Sequence, residues 1–140
     1  MNIYVSGSMY GGQQKIDTYK KLIDKLEEYG EVLTKQIADP KAIEKEEHQN
    51  DADIYKDLEK KLEKADIVIA EVSVASIGVG YEIGYAAKLN KKIVAIYDEN
   101  YLDKVTTMVR GNKKIRIIPY KDIDEILDNI EDILKWEELK

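Results

Sequence analysis

Residues 66–72, DIVIAEV, are apolar at nearly consecutive positions rather than at alternate ones. A strand with one wet face alternates; a strand apolar on both sides is covered on both sides, the mark of a central strand in a parallel sheet. Parallel neighbours cannot be joined by a hairpin, so such a strand requires crossover helices before and after it.

The flanking sequence supplies them. Ile3-Tyr4-Val5 reads as a first buried strand. Residues 15–29 place Ile16, Tyr19, Ile23 and Leu26 on one helical stripe, and Gly30 stops it. Residues 31–34, EVLT, form a short second strand, and residues 39–51 are polar and patternless, a surface loop. Residues 52–65 give a second helix through Ile54, Leu58, Leu62 and Ala65. A third helix is expected over 80–89, a strand over KKIVAIY, a short helix over 101–109, a strand over KIRIIPY, and one closing helix over 122–136. Five strand–helix alternations predict a parallel sheet covered on both faces, with residues 1–140 as one domain.

Composition narrows the chemistry. The formal charge of −6 argues against a general nucleic-acid binder, which needs a basic face. There is no Cys and a single His, His48, so thiolate sites, Cys nucleophiles and His-rich metal sites are not expected. No metal or cofactor is implied. No apolar run approaches the roughly 20 residues of a membrane span, and no leader pattern opens the chain, so no membrane association and a cytoplasmic location are expected.

In an open parallel sheet the ligand lies beyond the carboxyl ends of the strands. The loops at 6–14, 72–80 and 98–112 therefore matter most. The first contains GSMYGGQQ. Its glycines fit a plain strand-to-helix turn, but equally a phosphate or sugar cradle built from backbone N–H groups and the Ser8 hydroxyl. It is neither a Walker loop nor a GxGxxG motif. The second, AEVSVASIGVGYEIG, repeats the pattern with Ser73, Ser76, Gly78 and Gly80 ahead of a helix. Glu82 falls in that helix's first turn, where acids complement the helix dipole, yet Tyr81 and Tyr85 would crowd a pocket beside it. Glu71 ends the strand within an apolar run, which favours a structural role. Asp53, Asp57 and Glu59 on the second helix read, by themselves, as solvated charges.

Taken together, YVSGSMYGG, IYKDLEKKLEKADIVIAEVSVASIGVGYEIG and TTMVRG resemble the 2'-deoxynucleoside 5'-monophosphate N-glycosidases of the nucleoside 2-deoxyribosyltransferase superfamily, over about residues 3–112. The resemblance implies a flavodoxin-like fold with strand order 2-1-3-4-5 and a homodimer with shared active sites. It implies hydrolysis of the N-glycosidic bond of deoxynucleoside monophosphates to a free base and 2-deoxyribose 5-phosphate. By the same resemblance Glu82 is the nucleophile, Asp57 the second acid, and Tyr4 a group that positions or stabilises them. Ser8, Ser76 and Gly78 would hold the 5'-phosphate, with Gly7, Met9, Tyr10, Gly11 and Gly12 completing the first loop. Gln36 would lie near the base. Thr106, with Thr107 and Met108, would reach the partner's phosphate.

Departures from the pattern carry consequences. Tyr10 and Gln13 stand where relatives commonly have arginines, which removes bidentate phosphate partners. Aligned without gaps, the relatives' catalytic Asp falls on Leu58; Asp57 is its neighbour, turned by about 100° around the helix. The chemistry expected is the retaining two-carboxylate scheme, with an oxocarbenium-like transition state and carboxyls roughly 5 Å apart. A nucleoside deoxyribosyltransferase, or a nucleotide-binding module with impaired catalysis, are the alternatives.

Overall fold

The computed structural model describes residues 1–9 and 15–136, the side chains of 102–104 excepted. Tyr10, Gly11, Gly12 and Gln13, expected in the first loop, lie outside the described residues. The strands are β1 (Asn2–Gly7), β2 (Glu31–Val32), β3 (Ile67–Glu71), β4 (Lys92–Asp98) and β5 (Ile115–Tyr120). They form one all-parallel sheet in the order β2-β1-β3-β4-β5, the expected flavodoxin-like arrangement. The helices are α1 (Ile16–Leu26), α2 (Ala42–Glu47), α3 (Asp51–Lys64), α4 (Ile77–Lys88), α5 (Thr107–Arg110), α6 (Ile123–Asp128) and α7 (Ile130–Lys135), with 3-10 turns at Lys35–Ala38 and Glu99–Lys104. Among the described residues no helix is long and apolar enough to cross a membrane.

The pleat of each strand divides the core in two. Ile3 and Val5 of β1, Ile67 and Ile69 of β3, and Val94 and Ile96 of β4 pack with Tyr19, Leu22 and Leu26 of α1 and with Ile126, Ile130 and Ile133 of α6 and α7. The alternate residues Tyr4, Val68, Ala70, Ile93 and Ala95 pack on the other side with Leu62 of α3, Val79, Ile83 and Ala86 of α4, and Val109 of α5. All five residues of β3 are buried, as its doubly apolar pattern requires. β2 pairs over only two residues, and the buried Thr34 side chain extends its role: its Oγ1 accepts from Val5 N at 2.9 Å and donates to Val5 O at 2.7 Å.

Three expectations need correction. The third helix begins at Ile77, three residues before the expected start, because Ser76 caps it, so Glu82 lies beyond its first turn. The 39–51 stretch is not a loop throughout, because α2 occupies its middle. Asp39 accepts from Lys41 N at 2.9 Å and from Lys45 Nζ at 2.6 Å, and Ala42 is buried, so one turn of apolar contact suffices. The expected single helix over 122–136 is two. Asn129 takes a non-helical conformation (φ −109°, ψ 12°), and its side-chain amide donates to the Glu125 carbonyl at 2.9 Å, satisfying a group the break exposes.

At the carboxyl edge a buried polar knot ties β3, β4 and β5 to the start of α1. Glu71, 1% exposed, accepts from Ser73 N at 2.6 Å, from Ser73 Oγ at 3.1 Å and from the Tyr120 hydroxyl. Asp98 N donates to Ser73 Oγ at 2.7 Å. Lys15 Nζ lies 3.4 Å from Asp98 Oδ2 and 3.8 Å from Glu71 Oε2, stacked over the Tyr120 ring. Glu71 is thus structural, as its apolar run indicated.

Removing one partner from a buried charge cluster strands the others without compensation. Lys15→Met is expected to lower unfolding free energy in urea by about 3 kcal/mol, whereas Lys20→Met, on the exposed face of α1, changes it little. A Lys15→Met variant as stable as wild type would show that the knot contributes nothing.

Candidate active site

The pleat that sorts the core also builds the site. Tyr4 and Ser6 are two apart on β1, so both side chains face α4, and each is 1% exposed. Neither hydroxyl makes a hydrogen bond of full geometry among the described residues. Both nevertheless lie close enough to Glu82 to hold its carboxyl pKa down. Burial is the larger effect and pushes Glu82 above the ordinary value of 4.5, and the charge of Glu46 adds to the rise. The Tyr4 hydroxyl is pushed far up, first by burial and then by the Glu82 charge, so it stays a neutral donor. Glu71 and Glu82 point to opposite faces of the sheet, since Glu71 shares the pleat side of Ile67 and Ile69.

Glu82 is presented by α4. Ser76 caps that helix in an extended conformation, its Oγ accepting from Val79 N at 3.2 Å. Ser76 O accepts from Gly80 N at 3.1 Å, which leaves the N–H groups of Ile77 and Gly78 as the helix-terminal donors without an intrahelical partner. Gly78 is exposed, and a Cβ there would meet only Ser76 Oγ at 3.8 Å, so the surface beside this helix start is open. Beside it, a cavity of about 400 Å³ is lined by Glu82, Gly78, Leu58, Leu62, Tyr55 and Tyr85. Tyr55 and Tyr81 meet hydroxyl to hydroxyl at 3.1 Å.

The remaining residues expected in the site fall into groups. Gly7 has a structural duty: an added Cβ would lie 2.7 Å from Tyr19 Cζ, and the Tyr19 hydroxyl donates to Ser8 O at 2.9 Å. Ser8 is buried at the end of this contact, and Met9 packs on the α1 side of the core. Gln36 and Asp57 share a second cavity of about 220 Å³ with Glu46, Leu58, Lys45 and Lys61. Leu58 borders both cavities. Asp57 itself is 60% exposed and pairs with Lys61 Nζ at 2.8 Å. Thr106 caps α5, its Oγ1 accepting from Met108 N at 3.3 Å, and Thr106, Thr107 and Met108 are all exposed.

Sequence reasoning missed Ser6 and Glu46. Ser6 was recoverable from strand parity with Tyr4. Glu46 was recoverable from Asp39-Pro40, a helix-start signature, followed by Ala42, Ile43 and Glu46 at helical spacing.

Comparison with known proteins decides the family. The model of the nucleoside 2-deoxyribosyltransferase family matches residues 3–116, which include β2, β3, β4 and the whole of α4. This chain belongs to the nucleoside 2-deoxyribosyltransferase family. Among its relatives, the 5-hydroxymethyl-dUMP N-hydrolase of Danio rerio is 34% identical over 136 residues, 96% of this chain and 94% of that protein. The enzyme of the same name in Esox lucius is 34% identical over 139 residues, again covering 96% and 94%. The solved CMP N-glycosidase of Clostridium botulinum shares the fold, with a TM-score of 0.72 over 95% of this chain and 99% of that one, at 22% identity.

Tyr4 and Ser6 favour ionised Glu82. Without the Tyr4 hydroxyl, Glu82 is expected to titrate at higher pH in Tyr4→Phe than in wild type, read by carbon-13 NMR of its carboxyl. An unchanged titration would mean that the hydroxyl does not act on Glu82.

Proposed function

We propose that this member of the nucleoside 2-deoxyribosyltransferase family hydrolyses the N-glycosidic bond of deoxyribonucleoside 5'-monophosphates, releasing a free nucleobase and 2-deoxyribose 5-phosphate. The observation that carries this reading is Glu82: a carboxyl buried beside an accessible cavity, with two buried hydroxyls turned toward it. The names of its relatives support the reaction class.

Glu82 attacks the anomeric carbon as the bond to the base breaks, and the electron pair of that bond leaves with the base. The covalent glycosyl ester is then opened by water, which returns the carboxylate. The Tyr4 hydroxyl, kept protonated by its setting, steadies the carboxylate between attacks. The 5'-phosphate is placed at the start of α4, on the N–H groups of Ile77 and Gly78 and the Ser76 hydroxyl, where the helix dipole adds partial positive charge.

The active form is a homodimer. Ile77 is 96% and Met108 81% exposed, and with Gly80, Gly84 and Thr106 they border an apolar depression of about 610 Å³. A second copy packed there would bring its Thr106 to the start of α4. Sedimentation is expected to show a dimer at micromolar concentration, and Ile77→Lys is expected to dissociate it with loss of turnover. A fully active monomer would contradict this assembly.

Incubation with dGMP and other deoxynucleotides is expected to release base and sugar phosphate with no added acceptor. Strict dependence on an added base would make the chain a transferase, and binding without release would make it a nucleotide-binding module. Glu82→Gln is expected to lower turnover by more than about 10³-fold. It also reports on stability. The folded pKa of Glu82 lies above its unfolded one, so the wild type is fully stable with respect to this group below the unfolded value, and loses stability as pH rises through the folded value. Glu82→Gln is therefore expected to be more stable than wild type at pH 7 and equal to it in acid. Equal stability at both pH values would show that Glu82 is not buried at a cost.

A further inference from the structure

The cavity of about 400 Å³ that Glu82 lines has a polar rim of one kind. Tyr55, Leu58, Glu59 and Leu62 recur at helical spacing on α3, and Tyr81 and Tyr85 one turn apart on α4, so two stripes face the same space. The leucines supply an apolar wall. Among the described residues that line this cavity there is no Lys, Arg, His, Asn, Gln, Ser or Thr. Its polar side chains are therefore two carboxyls, Glu82 and Glu59, and three tyrosine hydroxyls.

The hydroxyl protons are committed to the protein's own oxygens. The Tyr85 hydroxyl donates to Glu63 Oε1 at 3.5 Å, and the Tyr55 hydroxyl hydrogen-bonds Glu59. A carboxylate only accepts, and a hydroxyl has one proton. Tyr55 thus donates to Glu59, and its oxygen, 3.1 Å from the Tyr81 hydroxyl, accepts from Tyr81. Ring contacts hold this chain in place. Tyr55 meets Tyr81 edge-on, with centroids 6.2 Å apart, and Tyr81 stacks with Tyr85 at 6.3 Å. What the rim has left to offer a ligand is lone pairs.

A ligand that fills this space displaces water from those oxygens and has to donate to them in its place. An acceptor set against Glu59 would leave a charged group unsatisfied, which is costly. With the 5'-phosphate at Gly78 and the anomeric carbon at Glu82, the part left to meet Glu59 is the base. Bases differ at this point. Cytosine, adenine and guanine carry an exocyclic amino group, whereas uracil and thymine flank their one ring N–H donor with two carbonyl oxygens. We propose that Glu59, with the tyrosine chain that ends on it, is the specificity-determining residue for the base, and selects deoxynucleotides of amino-bearing bases over those of uracil and thymine. The assignment rests on the N-glycosidase reading above. Gln36 lines the neighbouring cavity, on the other side of Leu58.

The test compares dCMP with dUMP, whose bases share a ring and differ in an amino group against a carbonyl at C4. The full-length wild type is expected to favour dCMP in kcat/KM by about 10-fold or more, the scale of one hydrogen bond to a charged group. Glu59→Gln keeps the side chain's shape and adds an N–H donor, so it is expected to bring the ratio close to one. A merely structural role would slow both substrates alike and leave the ratio where it was. Gln36→Ala is expected to keep the wild-type ratio, with the folding of each variant checked by circular dichroism. A wild type that takes dUMP as readily as dCMP overturns the assignment. So does an unchanged ratio in Glu59→Gln, or a larger shift in Gln36→Ala than in Glu59→Gln. Calorimetry with the same two nucleotides repeats the comparison for binding. A wild type that cleaves neither nucleotide would refute the N-glycosidase reading, and the affinity ratio would still decide the role of Glu59.

Discussion

The site depends on one placement: the Glu82 carboxyl set against the hydroxyls of Tyr4 and Ser6. Three parts of the sequence have to agree for it to form. The β1 pleat must turn residues 4 and 6 toward α4. The parallel register of β1 with β3, Tyr4 opposite Val68 and Ser6 opposite Ala70, must bring that face beneath the helix. The Ser76 cap must start α4 at Ile77 so that Glu82 falls one and a half turns in, over β1 rather than toward solvent. A one-residue slip in the strand would turn both hydroxyls into the opposite core. Burial then does the chemical work, raising the carboxyl and keeping Tyr4 protonated, and the hydroxyls keep the carboxylate from being too costly to form.

The opposite face of the same edge carries a different solution to buried charge. Glu71 lies one strand from Ser6 and is saturated by Ser73, Tyr120 and Lys15. Its donors leave no approach for a ligand. Glu82, by contrast, has two weak donors and an open cavity. The sheet thus separates a carboxylate that fixes strand ends from one free to react. The knot also fixes Lys15 at the entry to α1, directly after the glycine-rich segment, and Tyr19 fastens Ser8 at its start.

Much of this was legible in the sequence because the signals were local. The doubly apolar run at 66–72 announced a central parallel strand, and the residues after it announced a helix at the ligand edge, although that helix begins at Ile77 and takes in Gly78 and Gly80, which were expected ahead of it. Glu71 was readable as structural from its apolar neighbours. What was not legible depended on contacts distant in sequence. Glu46 reads as one charge in a polar stretch until α2 places it at a cavity with Gln36 and Asp57, from which its charge acts on Glu82. Lys15 reads as a surface lysine until strands β3 and β4, about 55 to 80 residues further on, surround it with carboxylates. Asn129 stops the last helix through a backbone conformation and a cap that periodicity does not register. Gly7, expected as part of a cradle, owes its identity to the Tyr19 ring packed against it.

The central claim is that Glu82 bonds to the anomeric carbon, and stereochemistry tests it without any mutation. Natural deoxynucleotides carry the base on the β face. When the wild-type reaction is run in aqueous methanol, two displacements at C1' must return the methyl group to that same face. The account predicts methyl 2-deoxyriboside 5-phosphate formed only as the β anomer, identified by proton NMR before any rearrangement. The α anomer would mean that solvent attacks C1' directly, and that Glu82 is not the nucleophile.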